Sequence, residues 1–143
     1  MVEKLLFDAK SSKAKGLVID IEKETIDNKN FRKVLYTGKN SQLVLMSLKP
    51  KQDIGLEVHD VDQFFRIDAG TGKVIINGKT HEIKDGSAFI IPAGAEHNVI
   101  NDGKEDLKIY TIYSPPHHKD KTVHKTKSEA LENEEEFDGE TTE

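Results

Sequence analysis

Glu57, His59 and Gln63 sit within one short stretch, Glu-Val-His-Asp-Val-Asp-Gln-Phe-Phe, which runs from Glu57 to Phe65. Successive side chains of an extended strand alternate between its two faces. Glu57, His59, Val61 and Gln63 therefore share one side, and Val58, Asp60, Asp62 and Phe64 share the other. A carboxylate, an imidazole and an amide thus project together. A second imidazole, His97, follows an apolar stretch and a Pro-Ala-Gly turn in Gly-Ser-Ala-Phe-Ile-Ile-Pro-Ala-Gly-Ala-Glu-His-Asn. If the two segments pack side by side in a closed sheet, His97 reaches the face that carries His59. Two imidazoles and one carboxylate suit a divalent first-row metal with open coordination positions. Gln63 adds only a neutral carbonyl oxygen, as a ligand or as a group that orients one. The competing reading is a polar sheet face open to water.

The chain between these groups is written in short strands. Gly16–Glu22, Lys33–Gly38, Ser41–Leu48, Leu56–Asp68, Gly72–Gly78, Lys79–Ile83, Ser87–Pro92, His97–Asn101 and Leu107–Ser114 each hold β-branched or aromatic residues. Turn signals separate them, among them Gly70-Thr71-Gly72, Asp85-Gly86 and Asp102-Gly103. Asn77-Gly78 predicts a tight hairpin with a two-residue turn. Strands punctuated about every ten residues imply an all-β sandwich or barrel. The best helix candidate, Lys-Ser-Glu-Ala-Leu-Glu-Asn-Glu-Glu-Glu-Phe from Lys127, lies outside the strand region.

With these residues in view the chain resembles a small single-domain cupin. Its segment Gly86 to Asn101 has the spacing of the second cupin motif at every fixed position: Gly86, Pro92, Gly94, His97 and Asn101. The first motif is matched more loosely by Gly55 to Gly70. There Glu57 stands at the first histidine position, His59 at the second and Gln63 at the glutamate position. The resemblance implies a cupin-type β-barrel (a double-stranded β-helix, or jelly roll) across residues 1–124. It also implies one divalent transition-metal ion, Zn, Fe, Mn, Ni or Co, held by Glu57, His59, Gln63 and His97. A small-molecule substrate in an isomerase or dioxygenase type of reaction follows, and the alternative is a non-catalytic metal or ligand sensor. Cupin pairing implies a homodimer.

Composition narrows the classes. The chain of 143 residues has no cysteine, which removes disulfides and thiolate chemistry, and its net charge is −5. From Lys125 to Glu143 eight acidic residues face two lysines, so residues 125–143 read as a disordered acidic tail. No basic patch with interleaved aromatics speaks for nucleic acid. No apolar run approaches membrane-spanning length and no secretory signal is evident, so a cytoplasmic protein is expected. Of the remaining polar groups, His81, His118 and His124 are expected in solvent, and His117 near the pocket. Tyr110 and Tyr113 alternate to opposite faces and are read as barrel-packing aromatics, the alternative being that one hydroxyl enters the cavity. Arg66 is read as a substrate anchor or an exposed ion pair, Phe64 as core and Phe65 as pocket wall.

Overall fold

A computed structural model describes residues 13–143. The reading of the extreme N-terminus as free of a secretory signal lies outside the described residues. A short helix, α1 (Ile21–Asp27), precedes nine strands: β1 (Arg32–Thr37), β2 (Gln42–Leu48), β3 (Asp62–Ala69), β4 (Thr71–Ile76), β5 (Lys79–Lys84), β6 (Ala88–Ile91), β7 (His97–Ile100), β8 (Leu107–Ser114) and β9 (Val123–His124). A last helix, α2 (Lys127–Glu132), follows. Six strands form one sheet in the order β6-β3-β8-β2-β1-β9, and β5-β4-β7 form the other. Among the described residues every strand pairing is antiparallel, as in β2 with β8 and β3 with β8. The all-β jelly-roll architecture is as expected.

Two details of the chain direction follow from local chemistry. Asn77 and Gly78 both have positive φ, 47° and 80°, the geometry of a hairpin turn that matches strand twist. Ile76 pairs with Lys79 across it. At the corner between β3 and β4, Gly70 has φ 93°, and a Cβ there would stand 2.6 Å from the Asp106 carbonyl oxygen. Any other residue would push β8 away from the corner.

Rows of side chains across the large sheet locate the core and the site. On the inner face Gln42, Tyr113 and Gln63 stand in one register row across β2, β8 and β3. The next rows inward are Val44, Thr111 and Phe65, then Met46, Ile109 and Ile67. Leu48 and Leu107 close the series, fully buried. One end of the sandwich is therefore aliphatic and the other is polar. Burying aliphatic side chains at about 25 cal/mol per Å² holds the closed end shut, which frees the polar end to carry chemistry.

Two expectations are corrected. Gly16–Glu22 is not a strand: its first part is an exposed, irregular arm, and Asp20 caps α1 by accepting from the Lys23 amide at 3.1 Å. An aspartate at an N-cap satisfies a free helix N–H, which a strand would not need. Residues 125–143 are not a disordered tail. They form α2 and then run back over the barrel, where Phe137 N donates to His117 O and Thr142 N to Thr37 O. The Glu143 carboxylate accepts from the Lys15 and Gly16 amides and from the Tyr36 hydroxyl. Most of the acidic side chains face water while the backbone finds partners, and charge density registers only the first of these.

Candidate metal centre

Backbone hydrogen bonds bring the two polar segments together. Glu57 N donates to His97 O and His97 N to Glu57 O, both at 2.9 Å. Gly94 N donates to His59 O at 2.8 Å, and Ala93 N to the Asp62 carboxylate at 2.9 Å. The Asn101 side chain ties the end of β7 to Leu48 O and Glu105 O. The alternation expected from Glu57 onward is observed: Val58, Asp60 and Asp62 are exposed, whereas Val61, Gln63 and Phe65 are buried.

Glu57, His59 and His97 each present one donor atom, all within 4.8 Å of one another. His59 Nε2 lies 2.8 Å from Glu57 Oε2. His97 is 2% exposed, and its Nδ1–H donates to Ala95 O at 3.0 Å. Its Nε2 is buried with no partner. A ligating histidine ordinarily donates its second nitrogen to a backbone carbonyl in this way, which fixes the tautomer and aims the free lone pair. Gln63 is similarly poised. Its amide nitrogen donates to Thr111 Oγ1 at 3.0 Å, and its Oε1 is buried without a partner.

The electrostatics favour a carboxylate at this point. Burial pushes the Glu57 carboxyl up, but the His59 hydrogen bond and the charges of His59, Arg32 and His97 outweigh it and hold the group below its ordinary value. Tyr113 goes the other way. Burial raises its phenol to about 12, with Arg32 opposing and Glu57 reinforcing.

The cover over the cavity was the least legible part. Tyr113 faces inward and Tyr110 does not, as alternation required. The His117 ring lies 4.2 Å from that of His59 and 5.3 Å from that of Tyr113. His118 Nε2 is 3.1 Å from the Tyr113 hydroxyl. His118 and His124, expected in solvent, are 8% and 6% exposed. His124 is buried by the pairing of β9 with β1 and by its contacts with Arg32 and Asn133 O; His118 is buried through Gln42. The Gln42 Oε1 accepts from the His117 and His118 amides, and its Nε2 donates to His118 O and Thr37 Oγ1. One buried amide thus pins the segment after Pro116 across the polar end of the barrel. No spacing rule marks such a residue; the only cue was a glutamine at the start of an apolar strand. Arg66 lies outside the cavity, 3.5 Å from Asp68, so its ion-pair reading holds. His81 is exposed as expected. Phe65, expected as pocket wall, is buried at 1% exposure with its ring 6.5 Å from that of His97, whereas Phe64, expected in the core, packs outward near Tyr110.

The fold is that of a cupin, and the chain belongs to the cupin family. The family's cupin-domain model matches residues 44–113. The protein YrkC of Bacillus subtilis (strain 168), of uncharacterized function, is 46% identical over 125 residues, which are 82% of this chain and 67% of that one. The crystal structure of BH2720 from Bacillus halodurans is 42% identical with a TM-score of 0.82, covering 85% of this chain and 97% of that one. A predicted oxalate decarboxylase from Thermotoga maritima is 28% identical with a TM-score of 0.52, over 54% of this chain and 68% of that one.

Proposed function

We propose that the chain binds one divalent transition-metal ion through Glu57, His59 and His97, with Gln63 as the fourth donor, and acts on a small molecule in the adjoining cavity. The observation that carries this is the unpartnered His97 Nε2, buried and aimed at the same point as Glu57 and His59. A buried polar atom without a partner costs about 1–3 kcal/mol, which a ligand would recover. Two donors on one ion stand no more than about 4.2 Å apart, so no pair in the cluster has to close by more than about 0.6 Å.

When bound, the ion supplies Lewis-acid polarisation of a substrate oxygen through its open positions. The protein's part is orientation and shielding. Ala95 O holds the His97 ring, Thr111 holds the Gln63 amide, and the buried Tyr113 phenol stays protonated as a hydrogen-bond donor. His117 is the one ring of the cover placed against His59, where it meets whatever occupies the cavity. A decarboxylase, dioxygenase or isomerase chemistry is compatible with this donor set, and the resemblance to a predicted oxalate decarboxylase supports the first. A non-catalytic sensor is the second reading. It is favoured by the Glu57–His59 contact at 2.8 Å, which lets the two groups satisfy each other with no ion.

Cytoplasmic residence and a homodimer belong to the same proposal. The dimer is supported by the arm before α1, where Leu17, Val18 and Ile19 are exposed, Val18 by 96%. Among the described residues no helix is long and apolar enough to cross a membrane.

The test is elemental analysis of protein from cells grown in mixed metals. Close to one divalent ion per chain is expected, and His97→Ala should lower metal affinity at least about 100-fold while the far-ultraviolet spectrum is kept. Fully folded wild type that takes up no ion when one is offered would reject the metal centre.

A further inference from the structure

Arg32 opens β1 at the wall of the same cavity, which has a volume of about 290 Å³ and is also lined by Glu57, His59, His117, His118 and His124. The arginine is 7% exposed. Its guanidinium lies over the Phe31 ring, 5.4 Å from the centroid, and Nη1 is 3.4 Å from His124 Nδ1. Its Nε is buried with no partner. Among the described residues Arg32 forms no ion pair, although Arg66, the only other arginine, has Asp68.

A buried cation without a counter-ion is costly, and its desolvation goes uncompensated unless an anion is supplied. The chain's own acids supply it only in part: Glu57 feels the Arg32 charge through space but makes no ion pair with it. Glu57 is already engaged by His59, and Glu134, Glu135 and Glu136 stand at the rim with exposed side chains. Burial, reinforced by the charge of Arg32 itself, holds His118 towards its neutral form.

We propose that the cavity takes a small molecule bearing an oxyanion, a carboxylate or a phosphoryl group, which the Arg32 guanidinium receives while the rest of the molecule faces Glu57, His59 and His97. This deepens the metal-centre reading by naming the ligand class. A planar fork of N–H donors matches both kinds of oxyanion in a way a lysine would not. The cavity lies at the lower edge of the usual range for small-molecule sites, about 300–1,000 Å³, so a compact acid fits and a dinucleotide does not.

The test uses the full chain, metal-loaded and chelator-stripped, titrated calorimetrically with pyruvate, inorganic phosphate and the neutral pyruvamide. At least one of the two anions should bind both forms at least tenfold more tightly than pyruvamide; the tighter anion identifies the group that Arg32 takes. Arg32→Gln should weaken that binding at least tenfold, and Arg32→Lys should restore part of it. Because the stripped protein is measured separately, loss of the metal centre leaves this result intact, and loss of anion binding leaves the metal result intact. Equal affinity for pyruvamide, no affinity for either anion, or a folded Arg32→Gln that binds like wild type would each overturn the proposal. Should Arg32→Gln not fold, 2,3-butanedione modification of wild type decides. The bound anion should slow modification of Arg32 at least fivefold and leave Arg66 unchanged, and an unprotected Arg32 overturns the assignment.

Discussion

The cavity has two walls built on different principles. One is the pair of motif segments, Glu57–Gln63 and Gly94–His97, joined by reciprocal backbone bonds between Glu57 and His97. Its donor atoms stand on strands or on backbone locked to strands, and two of them, His97 Nε2 and Gln63 Oε1, are buried without partners. The other wall is the cover, residues 117–124, whose buried histidines His118 and His124 and whose 117–118 backbone already have partners inside the protein. His118 reaches Tyr113, His124 reaches Arg32 and Asn133 O, and the 117–118 backbone is pinned by Gln42. The contrast teaches where ligation is available. The first wall is rigid and unsatisfied, as a preorganised site must be; the second is satisfied and serves to close the site against water.

The comparison breaks most visibly at Gln42. Replacing it by alanine leaves the His117 and His118 amides and the His118 carbonyl without partners in a buried setting. At about 1–3 kcal/mol for each orphaned group, partly offset by water entering, Gln42→Ala should lose about 3 kcal/mol in urea unfolding. Metal uptake should nonetheless stay within about threefold of wild type, because no atom of the first wall is touched. A parallel loss of metal would show that the cover helps to hold the ligands, and the two-wall description would fail.

Gln63→Glu sharpens the same contrast from the other side. It places a carboxylate where an unpartnered amide oxygen now stands, and it forfeits the amide N–H bond to Thr111 Oγ1, whose own proton is already given to Phe64 O. With an ion present the added charge should tighten metal binding about tenfold, or about 1.4 kcal/mol. Without one, a second buried acid beside Glu57 should lower the melting temperature relative to wild type. Competition with a chelator reads the first effect and thermal melts with and without metal read the second. No change in metal affinity would mean that Gln63 orients a neighbour rather than ligating.

How far each wall could be read from the sequence follows from the physics that made it. Glu57, His59 and Gln63 obey a period of two, and His97 sits behind a proline-glycine turn; both are local patterns, and local patterns survive in a sequence. The Asn77-Gly78 hairpin was readable for the same reason. The cover was not. His118 and His124 read as exposed histidines after two prolines because their burial depends on distant residues, Gln42 for His118 and Arg32 with the β1 edge for His124, 76 and 92 residues away in the chain. The 125–143 segment looked disordered because composition registers its charge but not its main-chain bonds to Thr37 and His117. Arg32 was passed over altogether. What marks it is the absence of a counter-ion, and an absence of contact has no signature in one dimension.

The smallest effect tests whether the cover is as dry as its bonding implies. Burial first, then the charge of Arg32, lowers His118 from 6.5 to about 2. The unfolded chain therefore takes up a proton at this position below about pH 6.5, whereas the folded chain does so only near pH 2. Stability from this group is complete above pH 6.5 and falls as the pH drops below it, because the unfolded state then binds more protons. Between pH 7.5 and 5.5 the loss should be about 1 kcal/mol. His118→Asn, which keeps a hydrogen-bonding group near the Tyr113 hydroxyl, should lose this part of the slope. Urea midpoints at the two pH values, compared between variant and wild type, measure it. Equal slopes would mean that His118 is protonated within the fold, so that water or an anion already reaches the space beneath the cover, and the two walls would then share one solvated site.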